Sequence, residues 1–196
     1  MKKLNLLFVF AAIFIASNLN AQAWEKSSKV LSLGMGGSSF FYIDGNDNYW
    51  SGLYTPVTGQ LNFQGEFGIH DYVGLGFTTG FGGGAGNRLR GWYGYYGYNG
   101  NINVPVGMIA NFHFYQLIAD KTGENIHSDK LDVYAGVNVG GGIGVLLYDN
   151  ADNYIVPIAF GGFQAGARYY FTPKFGVNAE VGYGKSFING GICFKL

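Results

Sequence analysis

The chain has 196 residues and a mass of 21.2 kDa, with 34 glycines, 18% aromatic residues and 12% charged residues split into 12 basic and 12 acidic. That balance offers no basic footprint for nucleic acid. A soluble domain ordinarily carries about 25% charged residues, so a large β surface built from this chain lacks the charge to face water.

The chain opens with Met1-Lys2-Lys3 and an apolar run, LNLLFVFAAIFIA, that is short for a bilayer span. Ala21-Gln22-Ala23 then supplies a small-residue cleavage pattern, so residues 1–23 read as a secretory signal peptide and residues 24–196 as one domain starting at Trp24. Removing the leader leaves ten basic residues, the 12 less Lys2 and Lys3, against 12 acidic ones, a net charge of −2. The single cysteine, Cys193, excludes an intramolecular disulfide, and no cysteine follows the cleavage site to carry a lipid anchor. No later stretch approaches the roughly twenty apolar residues of a transmembrane helix.

Eight segments of alternating character follow. The first, about 30–42, sets Leu31, Leu33, Met35 and Phe41 against Ser32, Gly34, Gly36 and Ser38. The second and third form a hairpin from Gln60 to Phe81, with Leu61, Phe63, Phe67 and Ile69 on one parity and Gln60, Asn62, Gln64 and Glu66 on the other. His70-Asp71 makes its turn, after which Val73, Leu75, Phe77, Thr79 and Phe81 resume the apolar parity. The fourth, about 101–114, opposes Ile102, Val104, Val106, Met108, Ala110, Phe112 and Phe114 to Asn103, Gly107, Asn111 and His113. The fifth, about 131–146, alternates Leu131, Val133, Val137 and Val139 with Asp132, Tyr134, Asn138 and several glycines. The sixth, about 157–171, opposes Phe163, Ala165, Ala167, Tyr169 and Phe171 to Gln164, Arg168 and Tyr170, and its parity slips upstream of Gly161-Gly162, which suggests a bulge. The seventh, about 175–185, opposes Phe175, Val177, Ala179, Val181 and Tyr183 to Asn178 and Glu180, and the eighth, about 189–196, turns Ile192, Phe194 and Leu196 outward.

The connections 44–56, 83–100, 148–154 and 185–188 are mostly long and rich in Gly, Tyr, Asn and Asp, whereas 70–71 and 172–174 are tight turns. The connection 115–130 is the exception, and Tyr115–Lys121 within it reads as a short helical turn. An even strand number, strands of crossing length and loops long on one side predict an all-β fold, an eight-stranded antiparallel up-and-down transmembrane barrel in the outer membrane. Its short turns and both termini are expected on the periplasmic side. A soluble barrel of lipocalin type would need Lys and Glu on the polar parity, where Gly, Asn, Gln, Ser and Tyr stand instead.

The run from Tyr134 to Gly142, the run from Ala167 through Arg168 and Glu180 to Gly184, and the closing Gly191–Leu196 resemble the small OmpA/OmpX-like outer-membrane barrels, in particular the PorT-like barrel domain. The resemblance implies a barrel, not an activity, and leaves room for a gate in the lumen or for membership of an envelope secretion complex.

With the apolar parity outward, Glu66, Arg168, Asn178 and Glu180 face the lumen close to the tight turns. A buried charge without a partner is costly, so Arg168 is expected between Glu66 and Glu180, across from Asn178, as part of a polar plug. The three histidines, His70, His113 and His127, map to the same end and lack zinc-motif spacing, so no metal, cofactor or serine-hydrolase base is expected. Gly80–Ala85 superficially matches a dinucleotide loop but precedes no helix, and Asp44–Asn48 lacks the Gly and Glu of an EF-hand. Arg88 and Arg90 suit lipopolysaccharide phosphates, and Trp92, Tyr93, Tyr95, Tyr96 and Tyr98 form an aromatic segment suited to a surface ligand or to the membrane interface.

The function expected is a structural or surface-interaction role through the outer loops of a monomeric, non-enzymatic barrel in contact with outer-membrane lipid and lipopolysaccharide. The alternatives are a restricted small-solute channel, for which Gly74, Gly76, Gly136, Gly140 and Gly142 would leave water-filled gaps, and an accessory subunit partnered with an envelope complex.

Overall fold

A computed structural model describes residues 22–43, 50–85, 100–123, 127–147 and 152–196. Eight antiparallel strands follow one another around a closed barrel: β1 (Lys29–Ile43), β2 (Trp50–His70), β3 (Val73–Ala85), β4 (Gly100–Phe112), β5 (Leu131–Leu147), β6 (Tyr154–Tyr170), β7 (Phe175–Gly182) and β8 (Ile188–Lys195). Among the described residues one helix, α1 (Phe114–Thr122), lies in the connection between β4 and β5 and ends on Gly123 in the left-handed region. β2 begins at Trp50, so the first connection is shorter than the alternation alone predicts.

The period of two decides which side chains go where. Among the described side chains, every strand carries open apolar residues at outward positions, including Met35, Val106, Met108 and Val181, with Val139 64% and Phe163 67% exposed. Inward positions along β2 are Gln60, Asn62, Gln64 and Glu66, all buried. The barrel therefore inverts the usual order, with its grease outside and its amides and ions inside. The register is offset in β1–β2 between Gly36 and Ser38 and in β2–β3 between Gly68 and His70, next to the turn.

The anticipated bulge at Gly161-Gly162 is absent, because the β5–β6 ladder runs without interruption from Leu131↔Tyr169 to Leu146↔Tyr154. What changes along β6 is the content of the lumen. Ile158 and Phe160 keep the inward parity and are buried, with Leu146 and Val156 packed against them. The lumen is thus polar and ionic toward the turn end and mixed toward the loop end, where Asn101 and Asn103 are buried as well as Ile158 and Phe160.

β7 and β8 are only eight residues each, against 17 for β5 and β6. Eight residues extend about 26 Å along the strand before tilt, so this hairpin stops partway up the wall. Beyond its tip β1 and β6 would present unpaired edges, and they pair with each other instead, at Phe41↔Ala159 and Tyr42↔Ile158. The tip is stitched to both neighbours: Tyr183 N–H donates to Phe163 O at 2.8 Å and Phe187 N–H to Gly37 O at 2.9 Å. The wall consequently has eight strands at the turn end and six near the loop end.

Candidate functional site

The lumen collects its charges at the turn end. Glu66 comes from β2, where its neighbours in register are Val30 and Gly76. Arg168 comes from β6, flanked by Asp132 of β5 on one side and Asn178 of β7 on the other. His113 follows the last residue of β4 and precedes the first of α1. Arg168, Glu66, Asp132 and His113 are all fully buried.

These four close into a ring in which acids and bases alternate. One terminal nitrogen of Arg168 donates to Glu66 Oε2, and the other donates to Asp132 Oδ2 at 3.2 Å. His113 Nδ1 lies 2.8 Å from Asp132 Oδ1 and Nε2 lies 3.1 Å from Glu66 Oε1. Each carboxylate gives one oxygen to Arg168 and the other to His113. Carboxylate oxygens only accept, so both imidazole nitrogens must donate and the ring holds His113 as an imidazolium. Burial opposes that charge, but the hydrogen bonds to Asp132 and Glu66 outweigh it and raise the His113 pKa above the ordinary histidine value. Asn111 Nδ2 adds a donor to Glu66 Oε1 at 2.9 Å. Aromatic rings cover the cations: the Trp24 indole stacks on His113 at 3.5 Å between centroids, and the Arg168 guanidinium sits 4.4 Å from the centre of the Tyr134 ring.

A second ionic centre adjoins the first. Glu180 Oε2 accepts from Lys185 Nζ at 2.6 Å and from Asn189 Nδ2 at 3.1 Å. Glu180 Oε1 accepts from Tyr134 Oη at 2.7 Å and from Gln64 Nε2 at 3.2 Å. Lys185 Nζ also donates to Gln64 Oε1 at 2.5 Å. Tyr134 joins the centres, with its ring on Arg168 and its hydroxyl on Glu180. With His113 protonated, Glu66, Asp132 and Glu180 are matched by Arg168, Lys185 and His113, which leaves these paired lumen charges neutral in sum.

The structure sets Arg168 against Glu66, and the fork does not include Glu180. Asp132 takes the second place because β5 lies beside β6 in register, while Glu180 turns to Lys185. Asn178 stands opposite Arg168 in the ladder and is buried, yet Arg168 donates to Glu66 and Asp132 while the Asn178 Oδ1 accepts no hydrogen bond among the described residues. Asp132 and Tyr134 share the inward parity of β5, so alternation could have found them. Lys185 could not be found that way, since it folds in from the hairpin tip, and Trp24 precedes the first strand. Two of the glycines expected to leave gaps have their space filled: a Cβ on Gly74 would strike Glu66 and Trp24, and one on Gly140 would strike the ring of Phe160. Arg88, Arg90, Trp92, Tyr93, Tyr95, Tyr96 and Tyr98 lie outside the described residues, as does the 44–49 connection.

His113 has no lone pair free for general-base work, because both nitrogens are spent on carboxylates. The arrangement suits holding charge in place. No family model and no curated protein matches the chain. Among solved structures the chain is similar to the N-terminal β-barrel domain of Pseudomonas aeruginosa OprF, with 13% identity, 88% of this chain and 98% of that one covered and a TM-score of 0.46. It is also similar to Ail, the attachment invasion locus protein of Yersinia pestis, with 13% identity, 87% and 95% covered and a TM-score of 0.45.

Proposed function

We propose that the chain is an integral outer-membrane β-barrel, that its lumen is filled by its own side chains, and that it serves a structural or surface-interaction role through the connections at the loop end. The observation that carries this reading is the inverted barrel, with apolar side chains exposed along every strand around a lumen whose ions are paired with one another. In water such an exterior would aggregate; in lipid it is the expected surface of a crossing strand. Outer-membrane lipid and lipopolysaccharide are its immediate partners, Arg88 and Arg90 are the candidates for phosphate contact, and a surface ligand would meet the aromatic segment 92–98. The barrel acts as a monomer and needs neither cofactor nor catalytic centre in this reading.

The test is heat modifiability together with liposome swelling. The folded protein is expected to change its mobility on SDS gels only after boiling, and to leave liposomes tight to small solutes. Unchanged mobility with solubility in the absence of detergent would remove the membrane reading. Solute flux would instead favour the restricted channel, and co-purification of a fixed partner from crosslinked envelopes would favour an accessory subunit.

A further inference from the structure

The turn-end mouth of the barrel is crossed by Gln22–Ser28, a segment that belongs to no strand. It is laced in at several points. Ala23 N–H donates to Ser128 O at 2.7 Å, Ser27 N–H to Gly68 O at 2.8 Å, and Gly68 N–H returns a bond to Ser28 O at 2.8 Å. Lys195 Nζ, from β8, donates to Gln22 O at 2.5 Å and to Glu25 Oε1 at 3.3 Å. Ala23 is 2% exposed and Trp24 0%.

Trp24 is the centre of the segment. Its indole lies within 6° of parallel to the His113 imidazole and 5.8 Å from the Arg168 guanidinium, so it caps the ionic ring from the mouth side. An indole face is the best aromatic surface for a cation, and here it meets two. The fit depends on Gly74, where a Cβ would stand 2.8 Å from Trp24 Cη2.

We propose that Gln22–Ser28 is an integral stopper of the exported barrel, with Trp24 as its seal, and that the leader is therefore removed ahead of Gln22 rather than after Ala23. The inference rests on the reading of the chain as an exported envelope protein. Between Asn20 and Trp24 two bonds carry a small residue on their leader side, the one after Ala23 and the one after Ala21 in Leu19-Asn20-Ala21. Hydrolysis of either consumes one water, leaves a carboxylate on the leader and places an ammonium on the new first residue. After Ala23, that ammonium would sit on Trp24 itself, whose ring stacks on one cation and lies 5.8 Å from another, and the bonds from Ala23 to Ser128 and from Lys195 to Gln22 would be lost together with the buried packing of Ala23. A third positive charge brought against that site is unfavourable. After Ala21, the ammonium sits on Gln22, which is exposed, and every contact of the segment survives. An amine there can also attack its own side-chain amide, expelling one ammonia and closing a neutral lactam.

The test is the intact mass of the full chain, expressed with its leader and extracted from the outer-membrane fraction, paired with planar-bilayer recordings of Trp24→Ala. The expected mass begins at Gln22, either unmodified or lighter by one ammonia. A mass beginning at Trp24, or at any other residue, overturns the processing site. Fractionation separates this failure from that of the membrane reading, because a chain that keeps its leader outside the envelope overturns both. Trp24→Ala is expected to raise ion conductance several-fold over the parent while remaining heat-modifiable, and Trp24→Phe is expected to restore the parent's tightness. Unchanged conductance in a folded Trp24→Ala barrel overturns the seal.

Discussion

Arg168 holds two carboxylates that come from strands on different sides of the lumen, Glu66 on β2 and Asp132 on β5. Removing it leaves two acids sharing one imidazolium in a site closed to water. Breaking a buried ion pair from one side costs about 3–5 kcal/mol, so Arg168→Ala is expected to lower the boiling-shift midpoint markedly. Glu66→Gln on the same background should restore part of it, because it removes one of the stranded charges. A midpoint equal to that of the parent would show that the ring carries no stability. His113 sets the pH dependence of the same ring. Facing it are Asp132 and Glu66, with Trp24 stacked on one side and Arg168 and Tyr134 nearby. Its pKa is raised in the fold, so its contribution is complete below the ordinary value of about 6.5 and is lost as pH rises through the folded value. Unfolding followed from neutral to alkaline pH should show stability declining upward, and His113→Gln should flatten that slope. At this scale the sequence made Glu66 and Arg168 visible through parity alone. It concealed Asp132 as the partner, because choosing between Asp132 and Glu180 requires knowing where each side chain reaches from two equally adjacent strands.

At the scale of elements, the short β7–β8 hairpin decides the shape of the wall. Its tip lies where the barrel passes from eight strands to six, and Lys185 anchors it from inside, its Nζ on Glu180 and its backbone N–H on Asn138 Oδ1 at 3.0 Å. Lys185→Ala leaves the Glu180 carboxylate with neutral donors only, and a buried ionic hydrogen bond of this kind is worth about 1.5–3 kcal/mol. The loss should appear locally, as faster hydrogen exchange at the amides of Gly182, Tyr183 and Phe187, with the β4–β5 ladder little changed. Uniform loss of protection around the barrel would mean that the tip has no separate stability. Alternation located all eight strands, because a two-residue period stays legible on either side of a single offset such as those at Gly36/Ser38 and Gly68/His70. The unevenness of strand length was illegible for a physical reason. The seventh strand and its loop share the same Gly and aromatic composition, and only the pairing of β1 with β6 shows where the hairpin ends. The parity slip in β6 misled in a related way, since apolar residues facing inward look like a register change when the lumen is taken to be polar throughout.

For the whole molecule, the question is which solvent meets the outer surface. Val139 lies at the middle of β5, points outward and is 64% exposed. In water, replacing an exposed valine by arginine would be close to neutral, since surface substitutions usually stay within about 0.5 kcal/mol. In a bilayer the same change near the midplane costs about 2–4 kcal/mol, and the penalty falls toward zero near the interfaces. Val139→Arg should therefore destabilise the barrel refolded in lipid vesicles by that amount. Phe171→Arg, beyond the turn-end limit of β6, should cost far less. The pair measures depth as well as environment: equal and small penalties would place the exterior in water, whereas a large central penalty with a small one at the rim places it across a membrane. Asn138, one residue away, supplies the internal control. It faces the lumen, donates to Tyr183 O at 3.1 Å and accepts from the Lys185 N–H, so Asn138→Val should destabilise through lost hydrogen bonds, by an amount that does not depend on the thickness of the lipid. A charge at position 139 and a hydrophobe at position 138 would then both be unfavourable, on opposite faces of one strand, which is the behaviour that an inverted barrel requires and a soluble one reverses.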